Sequence, residues 1–116
     1  MSRLAGALFV GALAIGGCAP APPADTQVAF RPDAGGLAVL PDWQRIDFGR
    51  APSGVIAALD RVLGPGRDLG RAGCPASVAR QISWGGLVLA FSDERFIGWR
   101  EQGAASGTVC KAEISH

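Results

Sequence analysis

The chain has 116 residues, with 11 Lys+Arg against 10 Asp+Glu and a formal net charge of +1. One domain is the expectation at this length, and the near-balance of charge argues against a nucleic-acid binder, which needs clustered basic charge, and against a polybasic membrane-surface protein. There is no Tyr and one His, the terminal His116, which removes His-based acid–base catalysis and most zinc sites.

Met1 to Arg3 is short and basic, and Leu4 to Ile15 is apolar and built of small and aliphatic residues. Gly16-Gly17-Cys18 follows, and the composition then changes abruptly to Ala-Pro-Ala-Pro-Pro-Ala-Asp-Thr. A charged tip, an apolar run and a small-residue cleavage site describe a secretory signal. The run falls short of the roughly 20 apolar residues that span a bilayer. Ile15-Gly16-Gly17-Cys18 resembles the lipobox of bacterial lipoproteins, which implies removal of residues 1–17 and a lipid on Cys18. Ala19, where an Asp would direct retention at the inner membrane, implies the outer membrane. Residues 18–26 read as an extended Ala/Pro-rich spacer, and 27–116 as a single domain. With Arg3 gone, ten basic side chains face ten acidic ones.

With Cys18 assigned to lipid, Cys74 and Cys110 remain. Two thiols in an oxidising compartment most simply form one disulfide. Closing a loop of about 37 residues contributes ~3.8 kcal/mol in the chain-entropy model. That is a large share of the stability of a domain of roughly 90 residues, which buries only about 60–65% of its unfolded surface. The alternative is a pair of buried free thiols.

Gln27 to Arg31 suits a short first strand, and Arg31 to Gly36 a turn. Leu37 to Leu40 is an apolar run, and Pro41-Asp42 suits a type I turn. Trp43 to Phe48 alternates as a half-buried strand. Pro52 to Leu63 predicts a helix: Val55, Ile56, Leu59, Val62 and Leu63 form one apolar face, Pro52 fits the first turn, and Gly64-Pro65 stops it. Asp60 and Arg61 fall on its wet side.

Gly64 to Cys74, with Arg67 and Arg71 among its glycines, reads as a flexible connector. It is no phosphate cradle, because the glycines follow a helix C-terminus and do not lead into an N-terminus. Gln81 to Trp84, Leu87 to Phe91 and Phe96 to Arg100 predict consecutive antiparallel strands, joined at Gly85-Gly86 and at the polar tip Ser92 to Arg95. Gly98 marks a bulge or a close backbone approach. Gln102 to Gly107 reads as a loop, and Thr108 to Ile114 as a last strand. The expected fold class is α+β, one amphipathic helix on a small antiparallel sheet, a three-strand C-terminal meander to which the strand before the helix is a candidate fourth member.

Chemistry is scarce. Lys111 is the only lysine and lies beside the proposed disulfide, and Asp93 and Glu94 form a solvated hairpin tip. No catalytic residue, metal ligand or cofactor is assigned. Trp and Arg dominate interface hot spots, so Trp84, Trp99 and Arg100 are the candidate interaction residues. The competing reading places the tryptophans in the core of a domain that needs its large side chains inside.

Phe48-Gly49, Val55 through Leu63-Gly64-Pro65, Trp84, and Leu87 through Phe91-Ser-Asp-Glu-Arg-Phe96 together resemble the SmpA/OmlA small outer-membrane lipoproteins of the BamE type, and the related β-lactamase-inhibitor-like modules. The resemblance covers roughly half of the mature chain. It implies an accessory role in outer-membrane protein assembly or envelope integrity through protein contacts and lipid, without a cofactor. Only the lipid attachment at Cys18 carries over residue by residue. The expected function is therefore a lipid-anchored, non-catalytic envelope module that binds another envelope protein. The alternative is a periplasmic inhibitor or small-ligand binder.

Overall fold

Pro52–Leu63 is a helix, α1, with the bounds its periodicity predicts. A computed structural model describes residues 27–111. Residues 1–26, where the sequence predicts a signal peptide, the lipidated Cys18 and a spacer, and residues 112–116 lie outside the described residues. Pro52 takes the first turn, Val55 and Leu59 are buried, and Gly64, at φ 90°, ends the helix by donating its N–H to Asp60 O. Arg61 in the last turn complements the helix dipole.

Two antiparallel meanders flank α1. Before it come β1 (Ala29–Asp33), β2 (Gly36–Leu40) and β3 (Gln44–Asp47), forming a three-stranded sheet in that order. After it come β4 (Arg67–Asp68), β5 (Arg80–Trp84), β6 (Leu87–Phe91), β7 (Phe96–Glu101) and β8 (Ala104–Gly107), forming a five-stranded sheet in chain order. The fold is α+β, with more sheet than one small meander. No described helix is long and apolar enough to cross a membrane.

The alternation of side chains sets the core. In the first sheet Phe30 pairs with Val39 and Leu37 with Ile46, putting these residues on one face. In the second, Ile82, Leu89 and Trp99 lie in one cross-strand row. These faces, with Val55 and Leu59 of α1 and with Trp84, Leu87, Phe91 and Phe96, make the main hydrophobic cluster. Phe96 meets Phe48 edge to face at 5.0 Å between centroids, a geometry that suits the aromatic quadrupole.

Three sequence expectations need correction. The Gly-rich connector is not wholly a connector: Arg67 and Asp68 pair with Ser83 and Ile82. Gly66 fits beneath the sheet, where a Cβ would lie 2.6 Å from the Trp84 ring. The last strand is not Thr108 onward but Ala104–Gly107, within the stretch read as a loop. It is formed by a two-residue hairpin at Gln102-Gly103, both at positive φ (51° and 86°), matching the strand twist. Thr108 to Lys111 instead crosses the outer side of this sheet, where Thr108 N–H donates to Ile97 O at 2.8 Å. Gly98 leaves room for that crossing, since a Cβ there would overlap the Thr108 backbone. The register shifts beside it, between Ala90 and Phe91.

On this outer side Val78, Ala90 and Cys110 form a second small cluster, with Cys74 and Ile97 packed on it. Cys74 and Cys110 are disulfide-bonded. The bond joins the loop before β5 to the segment after β8, beside the Lys111 N–H that donates to Gly73 O at 3.1 Å. The third correction concerns Asp60, which is not on a wet face. Half-buried, it accepts hydrogen bonds at Oδ1 from Trp84 Nε1 (3.0 Å) and Gly66 N (2.9 Å).

Candidate functional site

A groove of about 470 Å³ lies between the inward face of the first sheet and α1. Its floor follows from the patterns above. Phe30, Val39 and Ile46 come from three adjacent strands, and Val55, Ala58 and Val62 recur along one side of the helix. At one end Ile46 and Val55 are buried together in the core. At the other, Val28 and Val62 remain 39% and 38% exposed. Sheet and helix therefore close on each other at the Ile46 end and stand apart at the Val28 end. Gly54 and Ala58, both small, keep the helix side open.

Arg50 and Arg61 stand at the margins, and no Asp or Glu lines the groove. Arg50 Nη1 donates to Arg45 O at 3.1 Å. The Arg45 guanidinium is committed to the opposite sheet face, where Nε donates to Asp47 Oδ1 at 2.9 Å and Nη2 to Asp33 Oδ1 at 2.8 Å. Arg45 holds the Asp33 carboxyl down at about 2, with help from the Gly35 and Gly36 backbone. The Arg45 guanidinium is pushed above its own usual range by Asp33 and then Asp47. The groove thus offers apolar surface with cationic margins. Among the described residues, no Ser, Cys, His, Asp, Glu or Lys lines it.

The predicted interaction residues fall elsewhere. Trp84 and Trp99 are both 6% exposed, inside the core. Their indole N–H groups are spent internally: Trp84 on Asp60, and Trp99 on Asp33 O at 2.7 Å, which ties the two sheets together. The expectation that they anchor a partner is corrected. A core this small draws in its large aromatics and satisfies their single donor. Arg100 is half-buried, its Nε buried without a hydrogen-bond partner, beside a smaller recess of about 220 Å³ that Cys110 also lines.

The exposed tryptophan is Trp43, 59% accessible. It sits in the turn between β2 and β3 at φ 61°, a region that a bulky residue adopts only under constraint. The Arg31 guanidinium lies 5.9 Å from its ring centroid, within cation–π range. The expectation of a half-buried strand starting at Trp43 is corrected: β3 starts at Gln44, and Trp43 belongs to the turn. Trp43 follows Pro41-Asp42 directly, and a residue emerging from a turn dipeptide stands at a hairpin tip.

No known protein family, curated protein or solved structure matches the chain.

Proposed function

We propose that this protein is a lipid-anchored, non-catalytic module of the bacterial cell envelope, an assembly or integrity accessory that docks an apolar segment of another envelope protein. The observation that carries the docking is the groove between β1–β3 and α1, apolar along its floor and open at the Val28 end. The signal sequence with Cys18 supports the anchoring, and the Cys74–Cys110 bond fits an oxidising compartment.

The test is a photo-crosslinking residue at Val62, on the open lip, in cells that produce the full chain. The expected result is one discrete protein adduct that disappears when Ala58→Trp fills the groove. Adducts that survive Ala58→Trp, or none at all, reject this docking site. A second reading, a small-ligand binder, is favoured by the groove's volume, which lies within the roughly 300–1,000 Å³ of small-molecule sites. It predicts a small bound molecule in native mass spectra in place of the protein adduct.

A further inference from the structure

We infer that the β2–β3 hairpin tip, with Trp43 at its apex, rests in the interfacial layer of the bilayer that carries the anchor. The inference rests on the anchoring reading above and is independent of the groove. Three observations converge on one end of the molecule.

The first is Trp43 itself, the one exposed tryptophan among the described residues, held outward at φ 61°. Trp concentrates at membrane–water interfaces, where one side of the ring meets hydrocarbon and the other meets headgroups. The second is the surface around it. Ala29 pairs with Leu40, so the exposed Val28 and Pro41 flank the same end of the β1–β2 ladder. The Arg31 side chain reaches over the ring.

The third is where the tether meets the domain. Chain and domain join at Gln27–Val28, beside this tip, and Cys18 is ten residues ahead of Val28. Even fully extended, ten residues reach no more than about 35 Å. A lipid on Cys18 therefore keeps this end near the bilayer and gives the tip a high effective concentration of surface.

Charge does not drive the contact. Asp42 adjoins Trp43 and offsets Arg31, and Arg45 on the same sheet face is already paired with Asp33 and Asp47. The contact is expected to depend on the indole and the tether, and to be the same on zwitterionic and anionic surfaces.

The experiment uses the mature lipidated protein reconstituted in phosphatidylcholine vesicles whose acyl chains carry bromine. Intact mass and flotation establish the anchor, and tryptophan emission reports the tip. Trp84 and Trp99 are shielded in the core, so the difference between wild type and Trp43→Phe isolates Trp43. The expected result is that bromolipid removes more than half of that difference emission, with no change in 0.5 M salt or when phosphatidylglycerol is added. Trp43→Asn, which suits the positive φ, checks that the fold survives loss of the ring.

Anchored protein whose Trp43 emission is unquenched overturns the inference and leaves the anchor standing. So does quenching that appears only with anionic lipid and vanishes in salt. Protein that carries no acyl chain and does not float overturns the anchoring reading, and this inference with it.

Discussion

Trp84 and Asp60, 24 residues apart, are joined by a 3.0 Å hydrogen bond from the indole Nε1 to the carboxylate Oδ1. The same oxygen accepts the Gly66 N–H at 2.9 Å. One carboxylate near the end of α1 thus fixes the helix against β5 and sets the path of the chain that leaves it. Asp60→Ala strands two donors in a partly buried site, a loss of about 1–3 kcal/mol. Asp60→Asn keeps an oxygen in place and is expected to lose less. Urea denaturation of the two variants beside wild type checks the order; equal losses would show that Oδ1 is not the acceptor that matters.

Cys74→Ser is expected to lower stability by about 2–4 kcal/mol, through the freedom restored to the unfolded chain. Cys74 and Cys110 hold the coverings of one sheet face, so hydrogen exchange in the variant should rise first in residues 69–79 and 108–111. A melting temperature that does not respond to the variant or to reductant would refute the staple.

The Asp33–Arg45 pair predicts an acid-sensitive contribution. The folded carboxyl sits at about 2, below an unfolded value of about 3.9. The folded state therefore releases this proton more readily, and the stabilisation is complete above the unfolded value. It is lost as pH falls from about 4 through 2. Asp33→Asn keeps an acceptor for the Gly35 N–H but removes the charge. Its stability deficit should be constant near neutrality, shrink below pH ~4 and close near 2. Because the pair is exposed, added salt should also narrow it. A deficit that is flat with pH would mean that the charge contributes nothing.

Trp43→Asn should raise stability by about 1 kcal/mol, since Asn accepts the left-handed region that Trp occupies under strain. Thermal melts decide it. A clear fall would show that the Arg31 contact outweighs the backbone strain.

The helix was readable because its five apolar positions follow a 3.6-residue period and its stop is explicit. The strands β5 to β7 were readable from alternating aromatic and branched residues. β4 and β8 were not, because Arg67-Asp68 and Ala104 to Gly107 have little strand preference of their own. Neighbouring ladders and the Gln102-Gly103 turn impose their conformation. Asp60 fell on the polar side of the helical pattern, and nothing local could reveal that Trp84 and Gly66 would converge on it. The groove was equally hidden, since it exists only where two elements diverge in space. For the tryptophans, exposure turned on their place in the chain. Trp84 and Trp99 lie in strands that face the core, and Trp43 lies in a turn.

Every ladder among the described residues joins strands that are neighbours in sequence. No described strand waits for a distant partner, so each meander can zip from its own turns, and the low sequence separation of these pairings favours quick folding. If the chain is exported unfolded and N-terminus first, as the proposed function requires, that wiring would let the first sheet assemble while the rest is still crossing the membrane. Cys110 lies beyond the last strand and Cys74 before β5, so on that reading Cys110 would be the later of the two to emerge, and the covalent closure would follow the ladders.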